Sequence, residues 1–278
     1  MVVRTRAELR RALAGLRPRR IALVPTMGYL HEGHLTLVDR ARERADHVVL
    51  SIFVNPLQFG PTEDFGRYPR DLDRDVALAA ARGVDVVFAP SVEEIYPGGE
   101  PAVRVHPGPM ADTLCGAYRP GHFEGVLTVV AKLFGIVRPD VAVFGQKDYQ
   151  QAVLIRRMVT DLELGVEIDV APIVREADGL AMSSRNVYLG AEERARALRL
   201  SRGLARAAEA FRAGERNAER LRDVVLAELG SGPDVRIQYV EVVHPETLEP
   251  LEHAAEGGVI AVAAFVGETR LIDNVILT

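Results

Sequence analysis

The sequence predicts an α/β fold, a doubly wound parallel sheet over residues 1–173 followed by a smaller α+β domain over 174–278. Three observations carry this reading. Short apolar runs recur at 21–24, 48–54, 84–89, 141–144 and 166–171. Helical patterns lie between them near 34–45, 71–82, 123–137 and 148–162, and alternation at these lengths implies parallel β-α-β units. After residue 173 the texture changes to polar turns, two charge-rich helices and three further apolar runs.

Bulk composition bounds the function. A chain of 278 residues is long enough for two ordinary domains with a buried core. With 48% hydrophobic and 26% charged residues it reads as a soluble globular protein. The net charge of −5 argues against a nucleic-acid-binding surface. The single Cys115 excludes an internal disulfide framework and fits a reducing cytoplasm. With no apolar leader and no long apolar run, neither secretion nor membrane insertion is expected. No P-loop and no G-x-G-x-x-G is present.

The first run, Ile21-Ala22-Leu23-Val24, reads as a buried strand, and Leu35, Val38 and Ala41 then mark a helix. Between them lies P-T-M-G-Y-L-H-E-G-H, residues 25–34, which places His31 and His34 where a strand turns into a helix. Ligands bind at that edge of an α/β sheet, and the open N–H groups of a new helix attract anions. Gly28 and Gly33 allow close backbone approach. Taken alone, an H-x-x-H pair fits a solvated helix start as well as a phosphate site. It fits zinc less well, since the metalloprotease pattern is H-E-x-x-H.

The second run ends at Asn55-Pro56-Leu57-Gln58-Phe59-Gly60, where Asn55 and Gln58 read as amides at a pocket rim or simply as a strand terminator. The aspartates 71, 73 and 75 in the next helical pattern read mostly as a solvated face, with Asp73 and Asp75 as candidate outer metal ligands. The run 141–144 leads straight into Gly145-Gln146-Lys147-Asp148-Tyr149. Lys147 stands out because only two of the 34 basic residues are lysines, Lys132 and Lys147. A lysine kept where arginine prevails elsewhere marks either chance or a place that needs a compact point charge. Beyond 174 come the polar turn 175–179, the loop Met182-Ser183-Ser184-Arg185-Asn186 and helices near 191–212 and 217–229. Strands at 235–243, 259–266 and 269–277 close the chain.

Four groups now stand out: His31 with His34, Asn55 with Gln58, Lys147 with Asp148 and Gln151, and Ser183 with Ser184 and Arg185. Together they offer positive charge and hydrogen-bond donors of the kind phosphoryl and nucleotidyl transfer requires. The 25–34 element resembles the H-I-G-H element of nucleotidyl transferases and class I aminoacyl-tRNA synthetases, and 182–185 their K-M-S-K-S loop. More narrowly, F-V-N-P-L-Q-F (53–59), R-P-G-H-F-E-G-V (119–126), F-G-Q-K-D-Y-Q-Q (144–151) and D-G-L-A-M-S-S-R-N (178–186) resemble the pantothenate synthetase (pantoate–β-alanine ligase) family, in order and nearly end to end.

The resemblance implies a Rossmann-like first domain, a C-terminal lid domain, and an enzyme that uses ATP and Mg²⁺ to join pantoate to β-alanine through a pantoyl adenylate. It implies that His34, His31, Lys147 and Arg185 carry the chemistry. The nucleotide would be held by Met27, Gly28, Tyr29, Leu30, Glu32 and Gly33 with the two histidines. Gly145, Gln146, Lys147, Asp148, Val174, Met182, Ser183, Ser184 and Arg185 would complete that set. Gln58, Gln151 and Asn55 would meet pantoate or β-alanine, with Met27 and Phe59 walling the dimethyl carbon. Arg119 and His122 lie in a matching motif, either touching substrate or supporting residues that do. Gln146 departs from the many members with glutamate there. The metal would ride mainly on ATP phosphates and water, with no dedicated protein ligand. A homodimer is also implied, with neither nucleic acid nor membrane as partner. Competing readings are an adenylyltransferase of the same superfamily, which would not need Gln58 and Gln151 together, and a non-catalytic ATP-sensing protein.

Overall fold

A computed structural model describes residues 1–61, 63–230, 232 and 234–278. The chain forms two compact units. The first comprises Met1–Gly108, Arg119–Gly145 and Leu154–Pro172; the second comprises Pro109–Tyr118, Gln146–Val153 and Ile173–Thr278. A single boundary near 174 therefore leaves out two short stretches of the second unit, one carrying Cys115 and the other Lys147.

The first unit is built on a sheet of six parallel strands: β1 (Val2–Val3), β2 (Ile21–Thr26), β3 (His47–Ile52), β4 (Val86–Phe88), β5 (Val141–Gly145) and β6 (Glu167–Ala171). Their order is β1-β4-β3-β2-β5-β6. The chain thus builds outward from β2 to one side through β3 and β4, then reverses to place β5 and β6 on the other. That reversal, between β2 and β5, is the switch point beside which open α/β sheets bind ligands. The strands read as unbroken apolar runs because parallel sheets are covered on both faces. Ile21, Leu23, Val24, Leu50 and Val143 are completely buried. Helix α2 (Glu32–Arg44) buries Leu35, Val38 and Ala41 against this core, the spacing legible in the sequence. From α2, Arg40 makes a two-pronged bond to Asp169 on β6, at 2.6 and 2.9 Å.

Two elements carry no strong sequence pattern. Strand β1 is two residues long, too short for any periodicity. Helix α1 (Arg6–Leu16) buries only Leu9 and Leu13, so its apolar stripe is thin. Its usable signal is a capping box: Glu8 N–H donates to Thr5 Oγ1 at 3.2 Å, and Thr5 N–H to Glu8 Oε2 at 3.0 Å. The other helices of the first unit include α3 (Leu72–Ala81), the short α4 (Val92–Ile95) and α6 (His122–Val137).

The second unit has α5 (Leu114–Tyr118), the start of α7 (Tyr149–Asp161), the long helices α8 (Ala191–Arg212) and α9 (Ala218–Leu229), and an antiparallel sheet. That sheet runs β7 (Val235–Val243), β8 (Val259–Val266) and β9 (Thr269–Ile276) in order. Its core packs Leu200, Leu204, Leu221 and Val225 of the helices with Ile260 and Val262 of the middle strand.

Candidate active site

The turn leaving β2 is held by its own backbone partners. Thr26 Oγ1 donates to Ser51 O at 2.7 Å and accepts from Gly28 N–H at 3.2 Å. Gly28 sits at φ +85°, and a Cβ there would lie 2.9 Å from both Asp75 Oδ2 and Ile52 Cγ2. The position therefore requires glycine on both conformational and steric grounds. Tyr29 follows in the left-handed region at φ 50°. What fixes that unusual backbone is Asp75 of α3, whose two oxygens accept from Tyr29 N–H at 2.6 Å and Leu30 N–H at 2.7 Å. Burial pushes the Asp75 carboxyl above its ordinary range, against the pull of these two donors and of Arg74. Arg74 adds a bond to Leu30 O at 2.9 Å. Asp75 is thus not part of a solvated face: it is 1% exposed, and both its oxygens accept from the turn. Asp73 is the exposed member of that pair.

The turn delivers His31 to the N-cap of α2 and His34 to its first turn. His31 N–H donates to His34 Nδ1 at 3.3 Å, and the two rings lie 4.0 Å apart. With Nδ1 accepting, a neutral His34 carries its proton on Nε2. The result is an oriented N–H at the N-terminus of a helix, a combination suited to a phosphate oxygen.

The amide group after β3 is equally organised. Asn55 is almost fully buried and acts as a bracket. Its Nδ2 donates to Gln58 Oε1 and to Gly125 O, both at 3.1 Å, and its Oδ1 accepts from Tyr96 OH at 2.8 Å. Burial pushes the Tyr96 phenol up, so it stays a donor. Lys132 places its ammonium 5.5 Å from the centre of the Tyr96 ring. Held this way, Gln58 directs Nε2 to Met27 Sδ at 3.2 Å. Its backbone carbonyl accepts from Arg119 at 3.2 Å and lies 2.9 Å from His122 Nδ1. Arg119 is in turn paired with Glu63 at 2.6 and 2.7 Å. Burial works to raise Glu63, yet the Arg119 pairing brings it below the usual carboxylate range. Arg119 and His122 therefore support Gln58. Phe59 stacks edge-on with Phe65 and Tyr68, at 5.4 and 6.1 Å. Gly125 of α6 is a residue that sequence reading misses: a Cβ there would lie 2.3 Å from Leu57 O and 2.7 Å from Gln58 N.

In the second unit, Lys147 rides a single helical turn, Gln146–Asp148, with Nζ 3.3 Å from Asp148 Oδ2. Gln151 lies in the first turn of α7 and is half-buried. The loop that follows residue 173 folds back on itself. Met182 N–H donates to Val174 O at 3.0 Å, and Arg175 bridges Ala181. Ser183 then caps a short helix, Ser184–Tyr188, accepting from Arg185 N–H at 3.2 Å. Ser184 is buried, while Ser183 and Arg185 are half-buried. Asn186 anchors this turn through Glu176 at 2.7 Å and Ala181 O at 3.1 Å.

Among the described residues no cluster of three His, Cys, Asp or Glu side chains could hold a metal, and no helix is long and apolar enough to cross a membrane. A doubly wound parallel sheet carries a histidine pair at its central strand-to-helix turn, and a lysine follows directly after the strand across the order reversal. Open α/β sheets bind ligands beside such a reversal, at the carboxyl ends of their strands.

Comparison with known proteins narrows the class. Residues 1–276 match the family described as Pantoate-beta-alanine ligase, and the chain belongs to that family of amide-bond-forming ligases. It is 58% identical to a pantothenate synthetase of Thermoanaerobacter sp. (strain X514) over 258 residues, 93% of this chain and 91% of the relative. Among solved structures it resembles pantothenate synthetase from Thermus thermophilus, with TM-score 0.94 and 51% identity over 99% of each chain. It also resembles a Francisella tularensis pantoate-beta-alanine ligase complexed with "Beta-gamma ATP and Beta-alanine", with TM-score 0.81 and 33% identity over 99% of this chain and 97% of that one.

Proposed function

We propose that this ligase joins pantoate to β-alanine in two steps at the expense of ATP. In the first, a pantoate carboxylate oxygen attacks the α-phosphorus, the bond to the bridging oxygen breaks, and pyrophosphate leaves. In the second, the β-alanine nitrogen attacks the acyl carbon, the C–O bond to AMP breaks, and the amine sheds a proton. A carboxylate is already anionic at neutral pH, so step one needs neutralisation and alignment of two anions, with no base. The observation that carries this reading is the His34 imidazole, whose Nδ1 is taken by His31 N–H so that Nε2 serves as donor. The nucleotide named in the Francisella relative supports it.

In this reading His31 and His34 donate to ATP phosphates, and Lys147 and Arg185 counter the charge that develops on pyrophosphate with Ser183 and Ser184. Gly145 and Asp148 meet the ribose, Val174 lies by the adenine, and Met182 belongs to the 182–185 loop that covers the nucleotide. Gln58 and Gln151 hydrogen-bond pantoate, while Met27 and Phe59 wall its methyl groups. Asn55 acts through Gln58. Magnesium would enter with the nucleotide, with no dedicated protein ligand, and would supply further neutralisation of its charge. The enzyme works in the cytoplasm as a homodimer, and sedimentation as a monomer at micromolar concentration would count against the latter.

The test is exchange of labelled pyrophosphate into ATP without β-alanine. Exchange that requires pantoate and Mg²⁺, and falls at least ~100-fold in Lys147→Ala, is the expected result. Binding of ATP with no exchange in a folded enzyme would favour a nucleotide sensor or an adenylyltransferase of other specificity.

A further inference from the structure

We infer that Asn274, on the last strand β9, is a positioning residue for Lys147. The inference rests on the role proposed above for that lysine. A single helical turn such as Gln146–Asp148 has too few internal hydrogen bonds to fix its own orientation. Asn274 supplies what is missing. Its Nδ2 donates to Gln146 O at 3.0 Å and to Lys147 O at 3.1 Å, and its Oδ1 accepts from Gln146 Nε2 at 3.0 Å. The residue is 2% exposed, so water does not substitute for these contacts. Two donations and one acceptance from so short a side chain is chemistry that asparagine has and aspartate, leucine or serine lacks.

The preceding residue extends the hold. Asp273, 4% exposed, takes both prongs of Arg175 at 2.6 and 3.0 Å and accepts Asn274 N–H at 2.8 Å. Arg175 also donates to Gly179 O at 3.2 Å, inside the turn that leads to Ser183. Two adjacent residues of one strand therefore hold the lysine turn and the turn preceding the serine loop. Gln146 and Asn274 form a matched pair. A carboxylate at 146 would face Asn274 Oδ1 with no hydrogen to offer. Rotating the amide to suit it would turn Oδ1 toward two backbone carbonyls.

The experiment uses pyrophosphate exchange in the full-length enzyme with Asn274→Ala, Lys147→Ala and the two combined. If wild type shows no pantoate-dependent exchange, the proposed function falls before this inference is reached. Given exchange, Asn274→Ala is expected to lower its maximal rate by on the order of 10- to 100-fold, since small misplacement of a catalytic group costs that much. The KM for pantoate should stay within about two-fold, because its proposed partners are other residues. The double variant should be no worse than Lys147→Ala by more than about three-fold, as residues acting through one group are not additive. Wild-type exchange in Asn274→Ala, or losses that multiply, would overturn the inference. Should Asn274→Ala fail to fold by circular dichroism, Gln146→Glu decides. It should show a deficit of about five-fold at alkaline pH, the worth of one net hydrogen bond. That deficit should shrink as pH falls and the introduced acid gains a hydrogen to donate. A flat, wild-type profile would overturn the inference.

Discussion

Asp75 shows how much of the histidine turn depends on one side chain from another helix. Its carboxyl lies 45 and 46 residues from its partners in the sequence and holds the left-handed backbone at Tyr29 through two N–H groups, one of them fully buried. Asp75→Ala leaves both donors without a partner, and we expect a loss of about 2–4 kcal/mol in urea unfolding. Asp75→Asn keeps the shape but turns an NH₂ toward one of the two N–H donors. It should lower pyrophosphate exchange at least ~10-fold by letting the histidine turn drift. Exchange within two-fold of wild type would mean that the turn is set by Gly28 and Thr26 alone.

At the scale of elements, one glycine lets α6 press directly on the Pro56–Gln58 turn. Gly125→Ala would drive a methyl group into the Leu57 carbonyl and the Gln58 amide nitrogen, both backbone atoms. The turn, and Gln58 with it, must move by about an ångström, so the KM for pantoate should rise at least ~10-fold while that for ATP changes little. Parallel changes in both constants would point instead to general unfolding. The elements that carry these residues are readable because their signals are local. The run at 21–24, its turn at 25–34 and the apolar spacing of α2 lie within one another's reach. Their supports are not readable, because each is a pairing across distance: Asp75 to Tyr29, Glu63 to Arg119, Asn274 to Lys147. Asp75 sits among exposed aspartates, and Asn274 in a strand whose alternation reveals burial and not partners. Helix α1 escapes the sequence reading although Thr5 and Glu8 announce it, because its stripe of two buried leucines is too thin for periodicity to find.

For the whole molecule, the carboxylates set how stability varies with acid. Asp169 is carried below its ordinary 3.8 by the hydrogen bonds from Arg40, with burial opposing. Such a group stabilises the fold above its unfolded value, and the benefit is lost as pH falls through the lower folded value. Glu63, lowered from 4.5 with Arg119, acts in the same sense. Asp75, raised from 3.8 by burial, acts in the opposite one: its contribution is full below that value and declines as pH rises through the folded one. Asp169→Asn should therefore cost on the order of 1 kcal/mol near neutrality, allowing for screening at the half-exposed Arg40, and flatten the acid limb below pH ~4. Urea midpoints for both proteins between pH 3 and 7 would show it, and curves that stay parallel throughout would exclude Asp169 as a source of acid sensitivity. The two lysines have a consequence of another kind. An amine-directed acylating reagent meets just two lysine side chains, Lys132 with its ammonium 5.5 Å from the centre of the Tyr96 ring and Lys147 directly after β5. Covalent labelling of this protein is thereby confined to very few nitrogens, those two and the α-amino group, and shielding of Lys147 by added nucleotide would be a countable event among them.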